Sequence, residues 1–273
     1  MTASSGAPRH VTVERDGPVG IVVLDRPDRR NAYTPHMAVQ LGAALVDLDR
    51  DDSIRVAVVT GRGEHFSVGA DLDIDWRDPS VHGAEDLSDP STAPWNLATP
   101  IIGAINGDAI GVALTWAMQW DIRFVAEDAR IAFSFNRVGI MPDRNSLWLL
   151  PRLVGLSTAM DLLLTGRTID GAEAHRIGLV SRALAAGDVL DAAVAAAHDI
   201  AANCAPVSTT ATKRLMYEFL GETDRIHAYN HERRVLNWVR TQGETLRGIT
   251  AFKERRAPEW GTTKSTVIPP ELK

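Results

Sequence analysis

Two glycine-bearing turns, each just after an apolar run, are the segments whose residue types and spacing could do chemistry. The first is His65-Phe66-Ser67-Val68-Gly69-Ala70-Asp71-Leu72; the second runs from Ile105-Asn106-Gly107 through Asp108 and Gly111 to Leu114. Small residues there let main chain approach a bound group closely. Two N–H groups converging beside a helix start would hold negative charge on an oxygen. Taken singly, each turn also reads as an ordinary strand–turn–helix packing element. Other candidate centres offer less. Gly61-Arg62-Gly63 lacks the third glycine of a dinucleotide fingerprint, with Phe66 standing in its place. His227 and His231 are four apart on an expected helix, but no third ligand lies at metal-site spacing, so both read as surface histidines. Cys204, the single cysteine, excludes an internal disulfide and a thiolate-rich metal site, and reads as a small core hydrophobe.

Strands and helices must position those turns. Val19 to Leu24, Val56 to Thr60, Pro100 to Gly107 and Ile122 to Val125 are apolar runs of strand length that end in turn residues. Thr34-Pro35 is a helix cap followed by proline at the first helical position, after which Met37, Leu41, Leu45 and Leu48 recur at helical spacing. Strands alternating with helices predict an α/β layered front half. From Ser146 onward helix dominates, with helices expected over 189–202, 209–220, 225–241 and 245–256. The stretch from Trp76 to Pro94 is rich in Asp, Ser, Pro and Gly and reads as a long loop of functional type. The tail after Trp260 reads as frayed.

Composition narrows the partners. The chain has 273 residues, 45% hydrophobic and 23% charged, with a formal net charge of −6. That balance exerts no general pull on nucleic acid or an anionic membrane surface. No signal-like apolar region follows Met1, and no stretch offers the ~18 apolar residues needed to span a bilayer. A cytoplasmic enzyme on a small or carrier-bound substrate is the expectation.

Read in order, six segments resemble the crotonase superfamily, the enoyl-CoA hydratase/isomerase family. Leu24-Asp25-Arg26-Pro27-Asp28-Arg29-Arg30-Asn31-Ala32 is similar to its L-x-R-P-x-x-x-N-A opening. Phe66 to Leu72 matches F-x-x-G-A-D-L/I, and Asn106 to Ala113 the N-G-x-A-x-G-x-G turn. Val138-Gly139-Ile140-Met141-Pro142, the segments Thr165 to Arg167 and Ala172 to Val180, and Glu244 to Arg256 match the later steps. The resemblance spans residues 24 to about 260. It implies a crotonase-like spiral of ββα units over 1–200, with a helical C-terminal region over 201–273 that packs on the core or a neighbouring subunit. It also implies a homotrimer or a dimer of trimers, and an acyl-CoA thioester substrate with coenzyme A as the carrier and no other cofactor or metal.

By position in that pattern, the backbone N–H groups of Ala70 and Val112 would form an oxyanion hole. Ala70, Asp71 and Leu72 would hold the adenine. Arg29 or Arg30 would meet CoA phosphates, as would Arg255 from an adjacent subunit, with Phe252 near the adenine. The hydratases of the family use two glutamates, and here those positions are Thr115 and Phe135. Asp143, just after Pro142, stands where some isomerases of the family carry a single catalytic carboxylate, and Trp148 to Gly155 resembles the same branch. Arg144-Asn145 departs from that branch, which has a small residue and a glycine there, and Arg144 could pair with Asp143. Asp143 also reads as the cap of the helix that follows. Asp108 is the other carboxylate that could face the acyl pocket, although a turn residue is its simpler role. Asp73, Asp75 and Trp76 read as a charged helix start that could also line the pocket mouth. The expected activity is that of an enoyl-CoA hydratase/isomerase with Asp143 as acid/base. The competing readings are an acyl-CoA-binding homologue without catalysis and another crotonase chemistry such as thioester hydrolysis or decarboxylation.

Overall fold

The computed structural model describes residues 9–76, 92–266 and 268–269. In chain order its elements begin with β1 (Val11–Asp16), β2 (Val19–Leu24), α1 (Pro35–Arg50), β3 (Val56–Gly61), β4 (Ile101–Ile105), β5 (Ala109–Ile110) and α2 (Val112–Ala117). Next come β6 (Ile122–Ala126), β7 (Ile131–Ala132), α3 (Ser146–Val154), α4 (Leu156–Thr165), β8 (Thr168–Ile169), α5 (Gly171–Arg176) and β9 (Arg182–Leu184). The rest is helical: α6 (Val189–Asn203), α7 (Pro206–Phe219), α8 (Arg225–Thr241) and α9 (Glu244–Glu254). Most of the 76–94 loop lies outside the described residues.

One sheet runs β1-β2-β3-β4-β6-β9, antiparallel between β1 and β2 and parallel elsewhere; a small one runs β5-β7-β8. The central strands read as continuous apolar runs because helices cover both their faces, and every residue of β3 and β4 is buried. β1 escaped the sequence reading because only Val11 of it is buried, so an edge strand carries almost no apolar signal. The two-residue turn at Gly17-Pro18, with Gly17 at φ 56°, sets its register on β2.

Helix α1 starts where expected: Thr34 Oγ1 accepts from the Met37 N–H at 3.0 Å, and Met37, Leu41, Leu45 and Leu48 are buried. It lies tight on β2, since a Cβ at Gly20 would come 2.6 Å from Leu48 Cδ2. Helix α6 approaches β3 and β4 closely through Ala193, Ala197 and Ala201.

The structure corrects three sequence readings. Cys204 is exposed, because it stands at the C-cap of α6, where the helix gives way to extended backbone. His231 is buried with its ring edge against Phe219, while His227 stays outside and pairs with Glu222. Among the described residues no group of His, Cys, Asp and Glu is arranged to hold a metal. Residues 261–265, read as the start of a frayed tail, are docked. Trp260 Nε1 donates to the Ala202 carbonyl at 3.1 Å, and buried Glu244 accepts from the N–H groups of Gly261 and Thr262. Lys264 is 3% exposed and donates to the Leu48 carbonyl at 2.6 Å and to Thr99 Oγ1 at 2.7 Å. Polar anchors of this kind leave no periodic apolar trace in a sequence.

Burial pushes the Lys264 ammonium down to about 8, against the pull of Asp49, Asp52 and Asp51. The folded chain therefore binds fewer protons than the unfolded one between about pH 8 and the ordinary lysine range, and stability attributable to this side chain rises with pH across that window. Relative to Lys264→Met, the wild-type urea midpoint should increase between pH 7 and pH 10. A difference that stays constant or shrinks would contradict the assignment.

Candidate active site

The parallel strands deliver both turns to the same edge, where ligands of open α/β sheets bind. Two asparagines clamp the loop between them. Asn31, fully buried at φ 53°, donates to the carbonyls of Arg62 at 3.0 Å and His65 at 2.8 Å and accepts from the Arg26 N–H. Asn106 accepts from the Gly61 N–H at 3.1 Å and donates to the Gly63 carbonyl at 2.8 Å. Gly107 is glycine because a Cβ there would sit 1.9 Å from the Glu64 carbonyl oxygen. The asparagines of the N-A and N-G segments thus do structural work.

The turns are joined backbone to backbone. The Ser67 N–H donates to the Asp108 carbonyl at 3.0 Å, and the Ile110 N–H to the Ser67 carbonyl at 3.1 Å. Gly69, at φ 89°, lies so close that a Cβ would meet the Ile110 carbonyl oxygen at 2.9 Å. Ala70 follows Gly69 directly, and Val112 opens α2 two residues after Ile110. Among the described residues neither the Ala70 nor the Val112 N–H is given to a backbone carbonyl. Both N–H groups belong to the main chain of the two joined turns.

Asp71 is 5% exposed and is held by Arg26 and Arg29, each at 3.0 Å, and by the Asp73 N–H at 3.1 Å. Burial pushes its carboxyl up, but the Asp73 N–H and the two guanidinium groups outweigh burial and hold it below the usual range. Asp71 and Arg26 therefore tie the first turn to the Leu24–Ala32 segment. Arg29 is engaged by both Asp71 and Asp73. Leu72 is exposed, and Trp76 stacks on Tyr33 with ring centroids 5.7 Å apart.

The carboxylate candidates separate. Asp143 lines a cavity of about 390 Å³ together with Trp116, Gln119, Trp120, Trp95, Arg144 and one face of α1. Thr115, fully buried on α2, donates its hydroxyl to Asp143 Oδ1 at 2.6 Å. Asp143 Oδ2 lies 3.8 Å from Arg144 Nε, and the guanidinium sits over the rings of Trp116 and Tyr33 at 5.2 and 5.6 Å. Arg144 and Asn145 both adopt left-handed backbone, at φ 48° and 61°, in the place of a small residue and a glycine. The helix cap is Asn145, with no side-chain capping bond, so the Asp143 side chain remains directed to Thr115. Asp108 is elsewhere: it accepts from the Arg130 N–H at 2.9 Å, faces His65, and lines a different cavity of about 250 Å³ with Arg30, Arg130 and Arg137. Phe135 is buried, its ring 3.9 Å from where a Gly111 Cβ would be. Phe252 and Arg255 are exposed at the end of α9, with no hydrogen bond or ion pair to the first turn among the described residues.

A spiral α/β core whose parallel strands carry two glycine-bearing turns joined backbone to backbone has the architecture of a crotonase-fold protein. The family model for enoyl-CoA hydratase/isomerase matches residues 14–263, and the chain belongs to that family. A crystal structure of a probable enoyl-CoA hydratase/isomerase from Mycobacterium abscessus superposes with a TM-score of 0.86 at 36% identity, covering 92% of this chain and 98% of that one. The enoyl-CoA hydratase ACTT3 of Alternaria alternata is 34% identical over 260 residues, covering 91% of this chain and 86% of that protein. A probable enoyl-CoA hydratase of Mycobacterium tuberculosis is 33% identical over 254 residues, covering 92% and 97%.

Proposed function

We propose that this protein is an acyl-CoA enzyme that moves a double bond, with the Ala70 and Val112 N–H groups holding a thioester enolate and Asp143 carrying the proton. The observation that carries the reading is the Thr115–Asp143 hydrogen bond at the wall of the cavity. A thioester α-proton leaves at neutral pH only when its enolate oxygen is stabilised, and two preorganised donors supply that. Asp143 takes the proton from C2 of a 3-enoyl thioester. The electron pair delocalises over the carbonyl oxygen and the former double bond, and the same carboxyl returns the proton to C4 as the 2-enoyl product forms. One carboxylate suffices for this shuttle. Hydration in the two-glutamate manner needs a second proton carrier, and Thr115 and Phe135 occupy those positions.

Coenzyme A is the carrier in this reading, with its adenine at Ala70, Asp71 and Leu72. Arg30, which lines a cavity with Arg130, Arg137 and Asp108, would meet phosphate in this reading, whereas Arg29 is engaged by Asp71 and Asp73. Phe252 and Arg255, both exposed, would reach the carrier of an adjacent subunit in a trimer or dimer of trimers. Mixing purified protein with 3-enoyl-CoA and, separately, 2-enoyl-CoA tests the assignment. Growth of conjugated-thioester absorbance from the 3-enoyl substrate is expected. Water uptake with loss of that absorbance from the 2-enoyl substrate would favour hydration instead. Binding without turnover of either would indicate a non-catalytic acyl-CoA binder.

A further inference from the structure

We infer that Arg144 is a positioning residue, whose side chain clamps the turn bearing Asp143 onto the two segments that carry the Ala70 and Val112 N–H groups. The inference rests on the proton-shuttle reading above and names the residue that sets its geometry. Arg144 and Asn145 hold left-handed backbone in succession, at φ 48° and 61°, which disfavours an arginine and suits a glycine. Asn145 makes no side-chain capping bond at the start of α3, so the strain is offset by tertiary contacts.

Those contacts belong to the Arg144 guanidinium. The side chain is charged, yet only 9% exposed. Nη2 donates to the Tyr33 hydroxyl at 3.0 Å, and Cζ lies 5.6 Å from the centre of the Tyr33 ring and 5.2 Å from that of Trp116. The two rings meet edge-on at 5.0 Å and 70°, making a corner that receives the guanidinium.

Each wall of that corner belongs to a donor segment. Tyr33 pairs with the first turn through main chain, on either side of Ala70. Its N–H donates to the Gly69 carbonyl at 2.7 Å, and its carbonyl accepts from the Asp71 N–H at 2.9 Å. Trp116 stands on α2, the helix that Val112 opens, directly after the Thr115 that donates to Asp143 at 2.6 Å. Asp143 Oδ2 itself lies 3.8 Å from Arg144 Nε. The carboxylate and both donor segments thus meet around one guanidinium. Tyr33 and Trp116 are buried in their own elements and form the frame, and the turn at 143–145 is the part that the clamp holds against it. A planar guanidinium can stack on one ring and donate to another at once, which an ammonium cannot. Misplacing a reacting group by about 1 Å is enough to cost ~10²-fold in rate.

Arg144→Gly tests the clamp, because glycine accepts the backbone at this position. Its melting temperature should fall by no more than ~3 °C, while kcat for 3-enoyl-CoA drops ~10- to 100-fold. KM should change by less than ~3-fold, because the first turn keeps its ties to Tyr33 and Arg26. Millimolar methylguanidinium should raise kcat of Arg144→Gly by at least ~5-fold and leave Asp143→Asn unchanged. Tyr33→Phe keeps the ring and removes the acceptor, so it should lower kcat by a smaller factor, and by nothing further once residue 144 is glycine. Wild-type kcat in folded Arg144→Gly overturns the inference, as does a Tyr33→Phe loss that persists in full in that background. A lowered melting temperature without recovery by methylguanidinium would mark Arg144 as purely structural and overturn it too. If Arg144→Gly does not fold, Arg144→Lys decides, and wild-type kcat in that variant overturns the inference. Failure of the wild type to turn over 3-enoyl-CoA overturns the shuttle reading and the inference with it.

Discussion

Replacing Asp143 with Asn should lower turnover of 3-enoyl-CoA by about 10²- to 10⁴-fold, the usual contribution of a positioned general base, while CoA affinity stays close to wild type. Asn has the same shape and can still accept from the Thr115 hydroxyl, so the packing around the 2.6 Å contact survives and only proton uptake is lost. Side-chain exposure of 44% leaves the carboxylate open to the cavity on the face away from Thr115. The Thr115 hydroxyl has one proton, and the carboxylate at 2.6 Å is a stronger acceptor than the Val112 carbonyl at 3.2 Å. That hydrogen bond fixes the direction in which the carboxylate points. Thr115→Val should therefore reduce kcat by a smaller factor through looser placement of the carboxylate, and Thr115→Ser should restore it. Full activity in Asp143→Asn would remove this residue from the mechanism and return attention to thioester chemistry that needs no carboxylate here.

The second large effect is expected from Val112→Pro, which deletes one N–H and little else. Val112 is the first residue of α2, a position where proline is well tolerated, and its N–H makes no helical bond. The helix start is secured without it, since the Leu114 and Thr115 N–H groups both donate to the Gly111 carbonyl. Gly111 sits at φ 57° and ψ −121°, the mirror image of the extended backbone that precedes proline readily. Loss of one oxyanion donor costs about 10²- to 10³-fold in kcat, with a much smaller change in KM if the donor acts mainly on the enolate. Val112→Ala keeps the N–H and serves as the control for lost packing of this buried side chain. Equal losses in the two variants would mean that packing, and not the N–H, was being measured.

Both arguments start from residues legible in the linear sequence. The turns at Phe66–Leu72 and Asn106–Ala113 announced themselves by small residues after apolar runs. The central strands were visible because burial on both faces demands unbroken apolar stretches, and α1 because a cap and a four-residue period coincide. Helix bounds differed by a few residues: α7 starts at Pro206, before the first polar residues that mark its outer face. Less was visible wherever stability comes from polar contacts across the chain. The docking of Lys264 on Thr99 and Leu48, and of Glu244 on Gly261 and Thr262, has no local periodicity to betray it.

The family was decided by sequence alone, because turn chemistry and motif order are properties of neighbours along the chain. Only the tertiary structure decided which carboxylate faces the cavity. Asp108 stands nearer in sequence to the second turn, yet its side chain is taken up by the Arg130 N–H and faces His65, while Asp143 reaches back to Thr115 across 28 positions. Hydrogen bonds and cavities depend on distances between elements, and those distances exist only once the sheet and helices have packed.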